Sequence, residues 1–133
     1  TFDLDIEYTT GRTLQEEMGL VEAALKGAKE RQGLLILLDY LLSLTGDDAK
    51  RIPVLQEIVA RAETRQYKHF YGNPLYRAYP TLLELLERSD AAAAAAARAG
   101  AVKHLEGLKK GLEGWDLEKV QETLDRVRTA PGG

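Results

Sequence analysis

Apolar residues recur three and four positions apart along most of this chain, and that period leaves little choice but helix. Leu14, Met18, Val21, Leu25 and Ala28 form the first stripe, predicting a helix that runs to about Gln32. Its start is marked by Thr13 and Glu16, whose Thr-x-x-Glu spacing lets each side chain bond the other's backbone N–H. After Gly33, Leu34 to Leu44 are apolar on nearly every face, so this segment reads as the most buried helix. Gly46 supplies the left-handed residue that ends it. Ile52, Leu55, Val59 and Ala62 stripe a third helix, with Pro53 in its first turns, running to about Tyr71. Gly72-Asn73-Pro74 is a turn, 75–79 a short connector or a helical turn, and Pro80 opens a helix through Leu82, Leu83, Leu85 and Leu86.

Ser89-Asp90 either caps a new helix or lies inside one long one, and seven alanines, 91–97, the strongest helix formers, follow. Ala95, Ala99, Val102, Leu105, Leu108 and Leu112 stripe that helix. Gly114 stops it, and Asp116 caps a last one striped by Leu117, Val120, Leu124 and Val127. Residues 2–8 break the pattern. Phe2, Leu4, Ile6 and Tyr8 alternate with acids at the period of a half-buried strand, which must lie across the helices or pair with another chain.

A chain of 133 residues with no long linker and no internal repeat fits one domain. Short connections favour antiparallel neighbours. The expected fold is therefore all-α: a single-domain bundle over 1–133 of five or six mostly antiparallel helices. A short extended strand or arm at 1–11 precedes it, and 129–133 are a frayed tail.

Several function classes are disfavoured. Without cysteine there is no disulfide framework, thiolate zinc site or cysteine nucleophile. A net charge of −3 provides no general attraction to nucleic acid. The longest apolar run falls short of the roughly 20 residues a bilayer span needs, so no membrane partner is expected. No signal-peptide pattern opens the chain, and cytoplasmic localisation is expected. Glu-x-x-His, His-Glu-x-x-His and phosphate-loop patterns are absent, and Ser43 and Ser89 lack a nucleophile context. Neither an enzyme, a metal nor a cofactor is expected.

Three features stand out as functional candidates. Arg65, Tyr67, Lys68, His69, Tyr71, Tyr76 and Arg77 form an aromatic and basic segment without an acid. Such a segment suits a protein-binding hot spot, the leading reading, in a hetero-complex or a homo-oligomer. The alternative is single-stranded nucleic acid held by Arg65, Lys68 and Arg77, although three cations are few for phosphate-driven binding. The same rings could instead fold inward as core. Second, Gly19, Ala23 and Gly27, and then Gly100, Gly107, Gly111 and Gly114, give two helices a face of small residues. Close approach of another backbone, a homo-oligomer or a ligand groove would each use such a face. Third, Asp39 lies within the most apolar segment and needs a hydrogen bond, an Arg partner or a wet edge. With Tyr40 and His104 it is a candidate buried polar site for a ligand or a reaction.

Overall fold

The computed structural model describes residues 12–67 and 69–129, and of Tyr71 the backbone alone. The strand expected at 2–8 and the tail from 130 onward lie outside the described residues. All regular structure in the described chain is helical, in six α-helices and one short 3-10 turn. They are α1 (Leu14–Leu25), α2 (Gln32–Thr45), α3 (Asp48–Thr64), the 3-10 turn Phe70–Gly72, α4 (Leu75–Ser89), α5 (Ala91–Lys109) and α6 (Gly114–Arg128). The chain divides into two compact units, the first ending at Ile58 and the second beginning at Val59. Helix α3 contributes residues 48–58 to the first and 59–64 to the second.

In the first unit, Thr13 caps α1 as its spacing requires. The hydroxyl oxygen of Thr13 accepts the Glu16 N–H at 3.2 Å, and the Glu16 carboxylate accepts the Thr13 N–H at 3.2 Å. The predicted stripe Leu14, Met18, Val21 and Leu25 is buried, and α1 packs on α2. Helix α1 stops at Leu25 rather than near Gln32. Beyond Leu25 the residues are small or charged and bury nothing, while Arg31 Nη1 donates to the free Leu25 carbonyl at 2.7 Å. Arg31 also forks onto Glu57 of α3, at 2.7 and 3.0 Å, fixing the connection between α1 and α2.

Helix α2 begins one residue before Gly33. Gln32 is buried there, donating through Nε2 to the Ile58 carbonyl at 2.9 Å, while its Oε1 has no partner among the described residues. Leu35, Leu38, Leu41 and Leu42 form its inner face. Gly46 closes it at φ 73°, a conformation side chains other than glycine's rarely adopt. The Asp47 carboxylate then accepts the Lys50 N–H, starting α3.

The second unit has its core where α4, α5 and α6 meet. Leu75, Tyr79 and Leu83 pack with Ala101 and Leu105, and with Val120, Leu124 and Val127. Helix α4 starts at Leu75, not Pro80. Asn73 Oδ1 accepts the Leu75 N–H at 2.9 Å, so the expected connector is the first turn of the helix and Pro80 lies inside it. Asp90 caps α5 through the Ala93 N–H, and Gly114 at φ 61° opens α6 rather than closing α5. Arg98 of α5 joins the three helices, donating to Glu87 of α4 at 2.8 Å and to the Val127 carbonyl of α6 at 3.0 Å.

Candidate functional site

The aromatic segment is built from a helix end, a tight turn and a helix start. Helix α3 ends at Thr64, and the 3-10 turn brings Phe70 inward until it is 3% exposed. Tyr79 is equally buried, and Tyr67 and Tyr76 lean on the same core. The Phe70 and Tyr76 rings meet edge to face, 6.4 Å apart at 82°. Phe70 and Tyr79 therefore serve as core, with Tyr67 and Tyr76 partly buried against it.

What holds the turn in place is Asp116, in the first turn of α6. One of its carboxylate oxygens accepts the Phe70 N–H at 3.0 Å, and the other lies 3.0 Å from His69 Nδ1. The His69 hydrogen bond, with the Phe70 N–H, lowers the Asp116 pKa against the opposing effect of burial. A carboxylate at a helix start also suits the helix dipole.

The outer edge of this turn is a cation–aromatic ladder. The Tyr76 hydroxyl donates to Glu122 at 2.9 Å, and Lys119 bonds the second Glu122 oxygen at 3.0 Å. Lys119 Nζ stands 5.2 Å from the Trp115 ring centre and 5.9 Å from that of Tyr76, which also faces Arg126 at 5.7 Å. Trp115, the sole tryptophan, is 52% exposed. The structure thus brings His69 and Tyr76 of the expected set against α6. Arg65 and Arg77 are exposed, while Lys68 and the Tyr71 side chain lie outside the described residues. Trp115 was not among the sequence candidates; a lone tryptophan beside a helix-opening glycine was the available signal.

Asp39 takes the Arg partner that its setting demands. Arg51 Nε donates to Asp39 Oδ1 at 2.8 Å and Nη2 to Oδ2 at 3.2 Å, both side chains mostly buried. Tyr40 is exposed rather than buried, and His104 belongs to the second unit. The two small-residue faces do not mark close packing. A Cβ added at Gly19, Gly27, Gly100, Gly107 or Gly111 would meet nothing within 4 Å.

The most apolar segment holds the larger surprise. Ile36, Leu37 and Tyr40 of α2 are 44%, 39% and 53% exposed, so α2 is not the most buried helix. With exposed Gly33 and half-buried Leu44 they lie three, four, seven and eleven positions apart, on one face without a charge. Leu20 of α1, 51% exposed, belongs to the same unit. Helix α2 is thus apolar toward its core and again away from it.

No family model matches this chain, and neither a curated protein nor a solved structure does. Among the described residues no cluster of three or more His, Cys, Asp or Glu side chains is placed to hold a metal ion. No described helix is long and apolar enough to cross a membrane.

Proposed function

We propose that this chain is a non-enzymatic helical interaction protein whose task is to bind another protein. The observation that carries this reading is the charge-free outer face of α2. A helix apolar on all sides is normally buried, and contiguous exposed apolar side chains mark docking surfaces on water-soluble chains. The spacing of Gly33, Ile36, Leu37, Tyr40 and Leu44 is that of a ridge which accepts a partner helix, with glycine allowing close approach at one end. The outer edge of the aromatic turn, Trp115 with Lys119 and Tyr76, is a smaller second surface. Its ring is held by a cation, so binding there would order little that is not already ordered.

The test is affinity capture from the native source, with mass spectrometry, using three baits. These are the native chain, the Ile36→Ser/Tyr40→Ser double variant and Trp115→Ala. Loss of one hot-spot side chain removes about 2 kcal/mol, roughly 30-fold in affinity. The double variant is expected to lose a protein that the native chain and Trp115→Ala both retain, with helical circular dichroism unchanged. Identical captures with native and double-variant baits would reject the α2 face. A partner lost only with Trp115→Ala would move the site to the aromatic turn.

A further inference from the structure

Helix α5 presents Ala97, Gly100, Ala101, His104 and Gly107 along one stripe. Between this stripe and the last turns of α3 runs a trough wholly within the second unit. Its inner part is a cavity of about 150 Å³ walled by Val59, Leu82, Leu83, Ala97 and Ala101, with Glu63 and Tyr79 at its polar end. Its outer part, about 440 Å³, is bordered by Glu63, Lys103 and His104. The two parts share Glu63 and Gly100 and adjoin there. Gly100 keeps the passage open, since a Cβ at that position would meet nothing within 4 Å.

The polar groups around the trough are arranged by sign. The Tyr79 hydroxyl donates to one Glu63 oxygen, orienting the carboxylate at the cavity mouth. The other Glu63 oxygen has no hydrogen-bond partner among the described residues, and neither does the side chain of Lys103 or His104. An acid therefore stands at the mouth of a small apolar cavity, with two basic side chains along the adjoining trough.

We propose that this trough binds a small zwitterion with a short apolar side chain, of the kind presented by a free aliphatic α-amino acid. The side chain fills the inner cavity, the ammonium group bonds the open Glu63 oxygen, and the carboxylate meets Lys103 and His104. The cavity, about 150 Å³, is well under the roughly 300–1,000 Å³ of pockets that take drug-sized molecules, which fits a side chain of a few carbons. Charge complementarity of this kind selects for both ends of the ligand at once.

The experiment uses the full chain and three probes: L-leucine, 4-methylpentanoate, which lacks the ammonium, and isopentylamine, which lacks the carboxylate. Saturable shifts of the Gly100 and Gly107 amide resonances in ¹H–¹⁵N NMR spectra are the readout. L-Leucine is expected to shift both. 4-Methylpentanoate and isopentylamine should bind at least about tenfold more weakly, the effect of losing one charge-assisted contact. Gly100→Leu places a side chain in the open space and improves helix propensity, so it should remain folded and lose the response at Gly107. Glu63→Gln keeps an acceptor for Tyr79 and should weaken L-leucine binding about tenfold or more. The proposal is overturned if L-leucine at millimolar concentration shifts neither glycine, if either truncated probe binds as tightly, or if a folded Gly100→Leu responds like the native chain.

Discussion

Gln32 is a buried amide that uses only part of its hydrogen-bonding capacity, and replacing it with Met should stabilise the first unit. The side chains are similar in length and helix propensity, so the change is chiefly one of polarity. Two terms oppose each other. The Nε2 bond to the Ile58 carbonyl at 2.9 Å is lost, a net loss of about 0.5–1.5 kcal/mol. Ile58 lies inside α3, so its carbonyl keeps its helical partner four residues on and is not orphaned. Against this, the buried Oε1 without a partner no longer has to be kept from water, a relief of about 1–3 kcal/mol. The central values leave Gln32→Met about 1 kcal/mol more stable. With a urea dependence of about 1–3 kcal/mol per molar, the midpoint should rise by roughly 0.3–1 M. Urea unfolding followed by far-ultraviolet circular dichroism measures this, with Gln32→Glu as the contrast: an additional buried charge should lower the midpoint well below the native value. A lower midpoint for Gln32→Met would show that Oε1 is satisfied and that the reasoning fails.

Two pH effects follow from the second unit. Burial, reinforced by the Glu63 hydrogen bond, raises the Tyr79 pKa above its ordinary value near 10. Below about pH 10 both folded and unfolded chains keep that proton; above it the unfolded phenol ionises first, so stability should fall with rising pH. In Tyr79→Phe this alkaline slope should be shallower, and tyrosinate absorbance through the unfolding transition tests it. Asp116 works at the other end, its pKa lowered chiefly by His69. Its contribution is present above the usual carboxylate pKa and disappears as pH falls through the depressed one. In Asp116→Asn the acid limb of the stability curve should be flatter; a limb identical to the native one would show that Asp116 does not hold the turn.

Much of this architecture was legible because short-range chemistry writes it. The stripes of α1 and α6, the capping box at Thr13 and the αL glycine at Gly46 each depend on residues within four positions, whereas in α5 the expected line through Ala95 and Ala99 faces solvent and the buried one runs through Ala94, Ala101 and Leu105. Boundaries moved where a side chain beyond the local window intervened, as with Arg31 at the end of α1 and Gln32 at the start of α2; at α4 the shift came from a local Asn73 turn that the Gly72-Asn73-Pro74 signal did not specify. The inward packing of Phe70 and Tyr76 was one of three readings that a run of aromatics and cations allows. What decided between them was Asp116, 46 residues from Phe70, and no local pattern announces such a pair. The exposed side of α2 was hidden for another reason: a continuous apolar run says that a helix is apolar on two faces, not that both are covered by its own chain.

The alanines before Ala101 and Leu105 have a consequence for how this chain can change length. Of the seven residues 91–97 only Ala94 is buried, and it shares a stripe with those two core positions. Within the tract one alanine can replace another without loss, so its composition carries little information and its length carries a great deal. Inserting one residue would rotate the Asp90 cap against the core stripe by about 100°, whereas inserting seven would leave them within about 20°. Repetitive tracts are prone to gain and lose units, and here only changes close to a whole number of helical turns, such as seven or eleven residues, keep the helix within about 20° of its registration with its neighbours.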